Sequence, residues 1–233
     1  MFIFAESPVK VLVLLVVFGL ATAWAVGEVA RSRAIVDRIS ALLHLVMSAV
    51  MVCMVLPQTW AVLRGLLSLP GLVALFGVAT AWFGFWALMS TAGHVAHAWG
   101  HAAMFGAMTW HLAGMYVRHQ AMMSAGDPGP VMAVAAVGVP FMVYLLIVGL
   151  ADWWRVIRPP MPPARQPERK LLPAGAGDLA LRVLDAEPAP ERRRRQRRER
   201  FAAAAMAGMN LGMFWMSTGL LMPVAPWLDI LTV

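Results

Sequence analysis

The sequence predicts an all-α polytopic membrane protein, a bundle of six transmembrane helices, and three observations lead there. Hydrophobic residues make up 61% of the 233-residue chain and charged residues only 13%, against roughly 45–50% and 25% in a soluble domain. The 53 residues between Arg64 and Arg118 contain no Asp, Glu, Lys or Arg, room for two helices of about 20 residues each. Uncharged runs at 11–27, 39–63, 128–151 and 201–228 each hold one more.

The first helix is expected near residues 8–28, where Ser7 before Pro8 supplies an N-cap and a first-turn proline. Ala21, Ala23 and Ala25 imitate a leader cleavage site, but Glu6 with Lys10 makes a poor basic head, so the segment reads as a retained span. Helices near 35–56 and 69–90 follow, the first of them stopped by Pro57. The fourth, near 94–117, shares the long uncharged run with the third. Asp127 and Pro128 punctuate the entry to a fifth near 130–151, and Pro140 inside it is expected to kink it. The sixth, near 200–222, stops at Pro223.

These spans divide the chain into a five-helix transmembrane region (1–151), a Pro/Arg-rich cytoplasmic loop (152–199), and a last span with a short outer tail (200–233). Residues 152–200 hold 13 of the 19 basic residues, eight of the 16 prolines and no substantial apolar run. That segment cannot bury a core and reads as loosely ordered. Lys and Arg are retained on the cytoplasmic side during insertion. The loop after the first helix (Arg31, Arg33, Arg38) and the loop after the fifth together carry 16 basic residues, and the opposite side carries Lys10, Arg64 and Arg118. Both termini should therefore face away from the cytoplasm, in the cell membrane. The arginine run at 192–200, next to a span, reads as an anchor for anionic lipid headgroups rather than a nucleic-acid patch. The single cysteine, Cys53, forms no internal disulfide.

The pattern that carries chemistry lies inside the spans. His94, His97, His101, Met104, Met108, His111 and Met115 follow one another by alternating steps of three and four residues, which is one seam of a helix. The second helix repeats it with His44, Met47, Met51 and Met54, and the sixth with Met206, Met209, Met213 and Met216. Five of the six histidines fall on these seams; His119, beside Arg118, reads as interfacial. Methionine at this spacing also serves as flexible packing among small residues. An imidazole at membrane depth, however, must find a partner and marks a functional site by default.

All three seams belong to helices expected to run outwards from the cytoplasm. At about 1.5 Å per residue, His44, His101 and Met209 should share one level, with Met51, Met108 and Met213 above them and Met54, His111 and Met216 higher still. Thioether and imidazole donors without carboxylates suit Cu(I), so copper is the expected metal. Asn210 is expected to hydrogen-bond His44 or His101 from behind. One b-type haem, held by His44 and a histidine or methionine of the fourth helix, is an alternative use of the same donors. A non-catalytic accessory or assembly subunit of a larger membrane complex, a respiratory one included, is the alternative that needs no ligand. No nucleophile with a base, no HExxH motif and no paired intramembrane carboxylate is present, so catalysis is not expected.

The stretch Leu43-His44-Leu45-Val46-Met47-Ser48-Ala49-Val50-Met51, the pattern from His97 to Met108 and Met115, and Ala205-Met206-Ala207-Gly208-Met209-Asn210-Leu211-Gly212-Met213 resemble an actinobacterial family of multi-pass membrane proteins known as domain of unknown function 5134. The resemblance implies the membrane fold and a cell-membrane location. It brings no activity and no site residues.

Overall fold

A computed structural model describes residues 8–90, 92–124, 129–158 and 189–226, apart from the side chains of 92–94, 97, 124, 189, 190 and 192. The described residues form seven helices: α1 (Pro8–Arg31), α2 (Ile35–Val55), α3 (Pro57–Leu66), α4 (Leu69–Met89), α5 (Ala92–Ser124), α6 (Gly129–Ile157) and α7 (Ala189–Leu221). Four of them, α1, α2, α4 and α6, are long and apolar enough to cross a membrane. The polar residues that dilute α5 and α7, among them His101, His111, Asn210, Ser217 and Thr218, are buried within the bundle.

The extra element is α3. Leu56 takes an extended conformation (φ −104°, ψ 122°) and Pro57 stands in the first turn of the new helix, where the missing N–H costs nothing. Ten residues, about 15 Å, are too few to span a bilayer, and Trp60 ties α3 to the core. A second extended break ends at Ser68, whose hydroxyl accepts from the Gly71 N–H at 3.3 Å to start α4. At the other boundaries, α6 continues to Ile157 and α7 begins at Ala189. The segment expected to be a loop at 152–199 is thus helical at both described ends, while 159–188 lie outside the described residues. Pro140 is accommodated within α6, whose helix runs on either side of it.

Neighbouring helices pack antiparallel. α1 lies against α2 and α7, α4 against α5, and α6 against both α5 and α7. Small residues allow the close approaches. A Cβ at Gly138 of α6 would stand 1.8 Å from the Trp110 ring of α5, and one at Gly208 or Gly212 of α7 would collide with Val17 or Phe18 of α1. Trp110 also donates Nε1–H to the Val134 carbonyl at 2.7 Å, which fixes α5 on α6. Charges gather at one end, where Glu28 of α1 binds Arg198 of α7 (2.8 Å) and Arg31 (3.1 Å), and Asp152 binds Arg155 (2.8 Å).

A His/Met seam between α2, α5 and α7

The described side chains of the three seams turn inwards. His44, Met47, Met51 and Met54 on α2, His101, Met104, Met108 and His111 on α5, and Met209, Met213 and Met216 on α7 are all buried. Met115 and Met206 are half-buried and pack against the same core. His94 and His97 stand on α5, but their side chains lie outside the described residues.

Two of the three residues expected at the inner level meet directly. His44 Nε2 lies 3.1 Å from His101 Nδ1, and His44 Nδ1 lies 2.7 Å from the Ser40 carbonyl oxygen. A carbonyl only accepts, so His44 carries a proton on Nδ1. With both rings neutral, His44 Nε2 is then the acceptor and His101 donates from Nδ1. Phe83 and Phe105, stacked at 5.2 Å, wall the pair: His101 lies 5.1 Å from the Phe83 ring and His44 5.3 Å from that of Phe105.

This contact fixes the register of α2 against α5 at the histidine pair. α2 and α7 are both antiparallel to α1: α2 returns after a three-residue connection, while Arg198 meets Glu28 at one end of α1 and Trp215 meets Lys10 at the other. α5 and α7 are parallel, since His111 Nδ1 meets Ser217 Oγ at 2.7 Å and Gly114 faces Leu220 three residues on. α2 and α5 therefore ascend together, and the offset of 57 from His44 to His101 recurs in Met47 and Met104, Met51 and Met108, and Met54 and His111. The equal offsets are the register that a ladder of paired donors, one step per helical turn of about 5.4 Å, requires.

On α7 the offset from α5 is 106, so His101 is level with Ala207, between Met206 and Met209. The Asn210 expectation needs correction. Its Oδ1 is buried with no hydrogen-bond partner among the described residues. Asn210 stands where α7 meets α6: a Cβ added at Gly149 would lie 3.3 Å from Asn210 Cβ. Two residues toward the Lys10 end of the bundle were missed at the sequence level. Ser217 is the partner of His111, and Lys10 is buried with its Nζ 5.3 Å from the Trp215 ring. A hydroxyl next to a seam methionine was the available signal for Ser217. His119 is exposed, in keeping with an interfacial place, and Cys53 is half-buried.

Among the described residues no three of His, Cys, Asp or Glu come together. A closed zinc-type set of nitrogen, oxygen and thiolate ligands is therefore not provided there. What the seam offers is two imidazole nitrogens in contact and thioethers above them. No curated protein and no solved structure matches the chain. The family described as a domain of unknown function, DUF5134, matches residues 36–221, from the first turn of α2 to the end of α7, and the chain belongs to that family.

Proposed function

We propose that the protein is a six-span membrane protein whose His/Met seam binds a soft cation, Cu(I), as a transporter or as a reservoir for metalation. The observation that carries the reading is the His44–His101 contact at 3.1 Å inside a seam of buried methionines. An ion about 2.0–2.1 Å from each nitrogen would subtend roughly 100° at that separation, near the tetrahedral value. It would take the place of the shared proton. His101 would then carry its proton on Nε2, a change of tautomer without net loss of charge. The donors match the metal: imidazole and thioether, with no carboxylate on the seam. A haem between the two rings fits less well, because axial imidazoles on opposite faces of a porphyrin stand further apart than a hydrogen bond and Phe83 and Phe105 pack against this pair.

The remaining parts of the reading follow from lengths and charges. α5, and α7 from about residue 201 onwards, join the four apolar helices as spans. The charged end of the bundle faces the cytoplasm of the cell membrane, with the arginines of α7 at anionic headgroups.

A competition titration against a Cu(I) chelator under reducing conditions tests the site. Losing an outer partner of a metal ligand costs roughly 10–100-fold in affinity, so His44→Leu with His101→Leu should cost at least about 100-fold, whereas His119→Leu should change nothing. Visible absorbance is recorded first, because bound haem would show there. Equal and negligible Cu(I) uptake by parent and double variant, with no haem spectrum, would overturn the metal reading in favour of the accessory subunit.

A further inference from the structure

We infer that the outside of the bundle carries a binding site for one phospholipid with an anionic headgroup, in a groove between α1 and α7 closed at its charged end by α6. The groove has a volume of about 400 Å³ and is lined by apolar side chains, among them Val13, Val17, Trp153, Phe201, Ala204 and Trp215. It opens outwards: Val13, Trp153 and Phe201 are exposed at 39%, 50% and 46%. From Phe201 to Trp215 it follows α7 for 14 residues, about 21 Å. One leaflet of a bilayer with a hydrocarbon core of roughly 30 Å is shallower than that, so a whole acyl chain can lie along it. Its floor is narrow because α1 and α7 touch at Gly208 and Gly212.

The headgroup preference comes from the end marked by Trp153 and Phe201. Arg200 precedes Phe201 and donates Nη2–H to the Arg158 carbonyl at 3.3 Å, so both arginines stand over the seam of α6 and α7 at that end. Arg158 also lies over the Trp154 ring, 4.9 Å from its centroid, an aromatic placement typical of the membrane interface. Three neighbouring cations are matched: Arg31 and Arg198 share Glu28, and Arg155 holds Asp152. Among the described residues neither Arg158 nor Arg200 meets a carboxylate. Two guanidiniums that meet no carboxylate among the described residues, at the charged end of an apolar groove, call for a phosphate that carries acyl chains and leaves a net negative charge.

The test uses the full-length protein, stripped of lipid in a neutral detergent and titrated with phosphatidylglycerol or phosphatidylcholine of identical acyl chains, with bound lipid counted by native mass spectrometry. The parent should retain phosphatidylglycerol in preference to phosphatidylcholine. Arg158→Gln with Arg200→Gln, both at exposed positions, should weaken phosphatidylglycerol binding roughly 5-fold per arginine and leave phosphatidylcholine unaffected. Arg193→Gln with Arg194→Gln, further out on α7, should leave the preference intact. Ala204→Leu, which fills the groove, should weaken both lipids. Equal retention of the two lipids by the parent, equal losses from the two arginine pairs, or no effect of Ala204→Leu would each overturn the site. Displacement by glycerol phosphate without acyl chains would do so as well, by showing a site for free phosphate.

Discussion

At the scale of single residues, the buried imidazole pair ties stability to the candidate chemistry. His44 is fixed on both nitrogens, by the Ser40 carbonyl and by His101, and this arrangement rigidifies the pair. Replacing one ring deprives the other of its partner in a dry setting, at a cost of about 1–3 kcal/mol, whereas replacing both by apolar groups of similar shape can be nearly neutral. His44→Leu and His101→Leu should each lower the thermal unfolding temperature in detergent, and the double variant should lose clearly less than the sum of the two. Strictly additive losses would show that the rings do not depend on each other. Which residues face inwards was legible in the sequence, because alternating steps of three and four define a helix face. Their partners were not. The seam does not reveal that His111 reaches Ser217 or that Asn210 Oδ1 meets no donor among the described residues, since those outcomes depend on rotamers and on the neighbour across the interface. Lys10 read as a terminal charge, yet it is buried over Trp215, which only the packing of α1 on α7 reveals.

At the scale of elements, uncharged runs announced the apolar part of each long helix, and the described helices overlap every one of those runs. The ends were less legible, because hydropathy reports the part of a helix that sits in lipid and is silent about turns beyond it: α6 runs to Ile157 and α7 starts at Ala189. α3 escaped notice for a related reason, since Pro57 was read as a stop although it is equally suited to the first turn of a new helix. What holds the elements together is close backbone approach at small residues. Gly138 is the clearest case, because any Cβ there overlaps the Trp110 ring and would dislodge its 2.7 Å hydrogen bond to Val134. Gly138→Ala should destabilise the protein by about 1–3 kcal/mol, as overpacking does, measured as a lower unfolding temperature. Gly84→Ala is the control: nothing lies within 4 Å of its added Cβ, and alanine is the better helix former, so stability should hold or rise. Equal effects of the two changes would remove the close-approach account of the α5–α6 interface.

At the scale of the whole molecule, the described residues gather most of their ion pairs at one end, and the proposed orientation rests on that end rather than on the long loop alone. Long loops translocate largely regardless of charge, so the basic residues at 159–188 have little weight in setting topology. Glu28 with Arg31 and Arg198, Asp152 with Arg155, and Arg200 against Arg158 nevertheless stand together where α1, α6 and α7 meet. The opposite end holds Lys10 over Trp215 and Arg118, whose Nη1 donates to the Gly219 carbonyl at 3.3 Å. On the proposed orientation, the basic residues at short connections and span ends put this end inside. With Cys53→Ala removing the single native thiol, Ala174→Cys should resist a membrane-impermeant maleimide in intact cells and react once the cytoplasmic face is exposed in inverted vesicles. His119→Cys, exposed at the far end of α5, should give the reverse pattern, so the two variants calibrate each other. The outcome also sets the direction of the seam, because α2, α5 and α7 ascend together and the His44–His101 pair lies nearer the charged end than His111 does. Labelling of Ala174→Cys from outside intact cells would invert the molecule and place the imidazole pair nearer the outer surface.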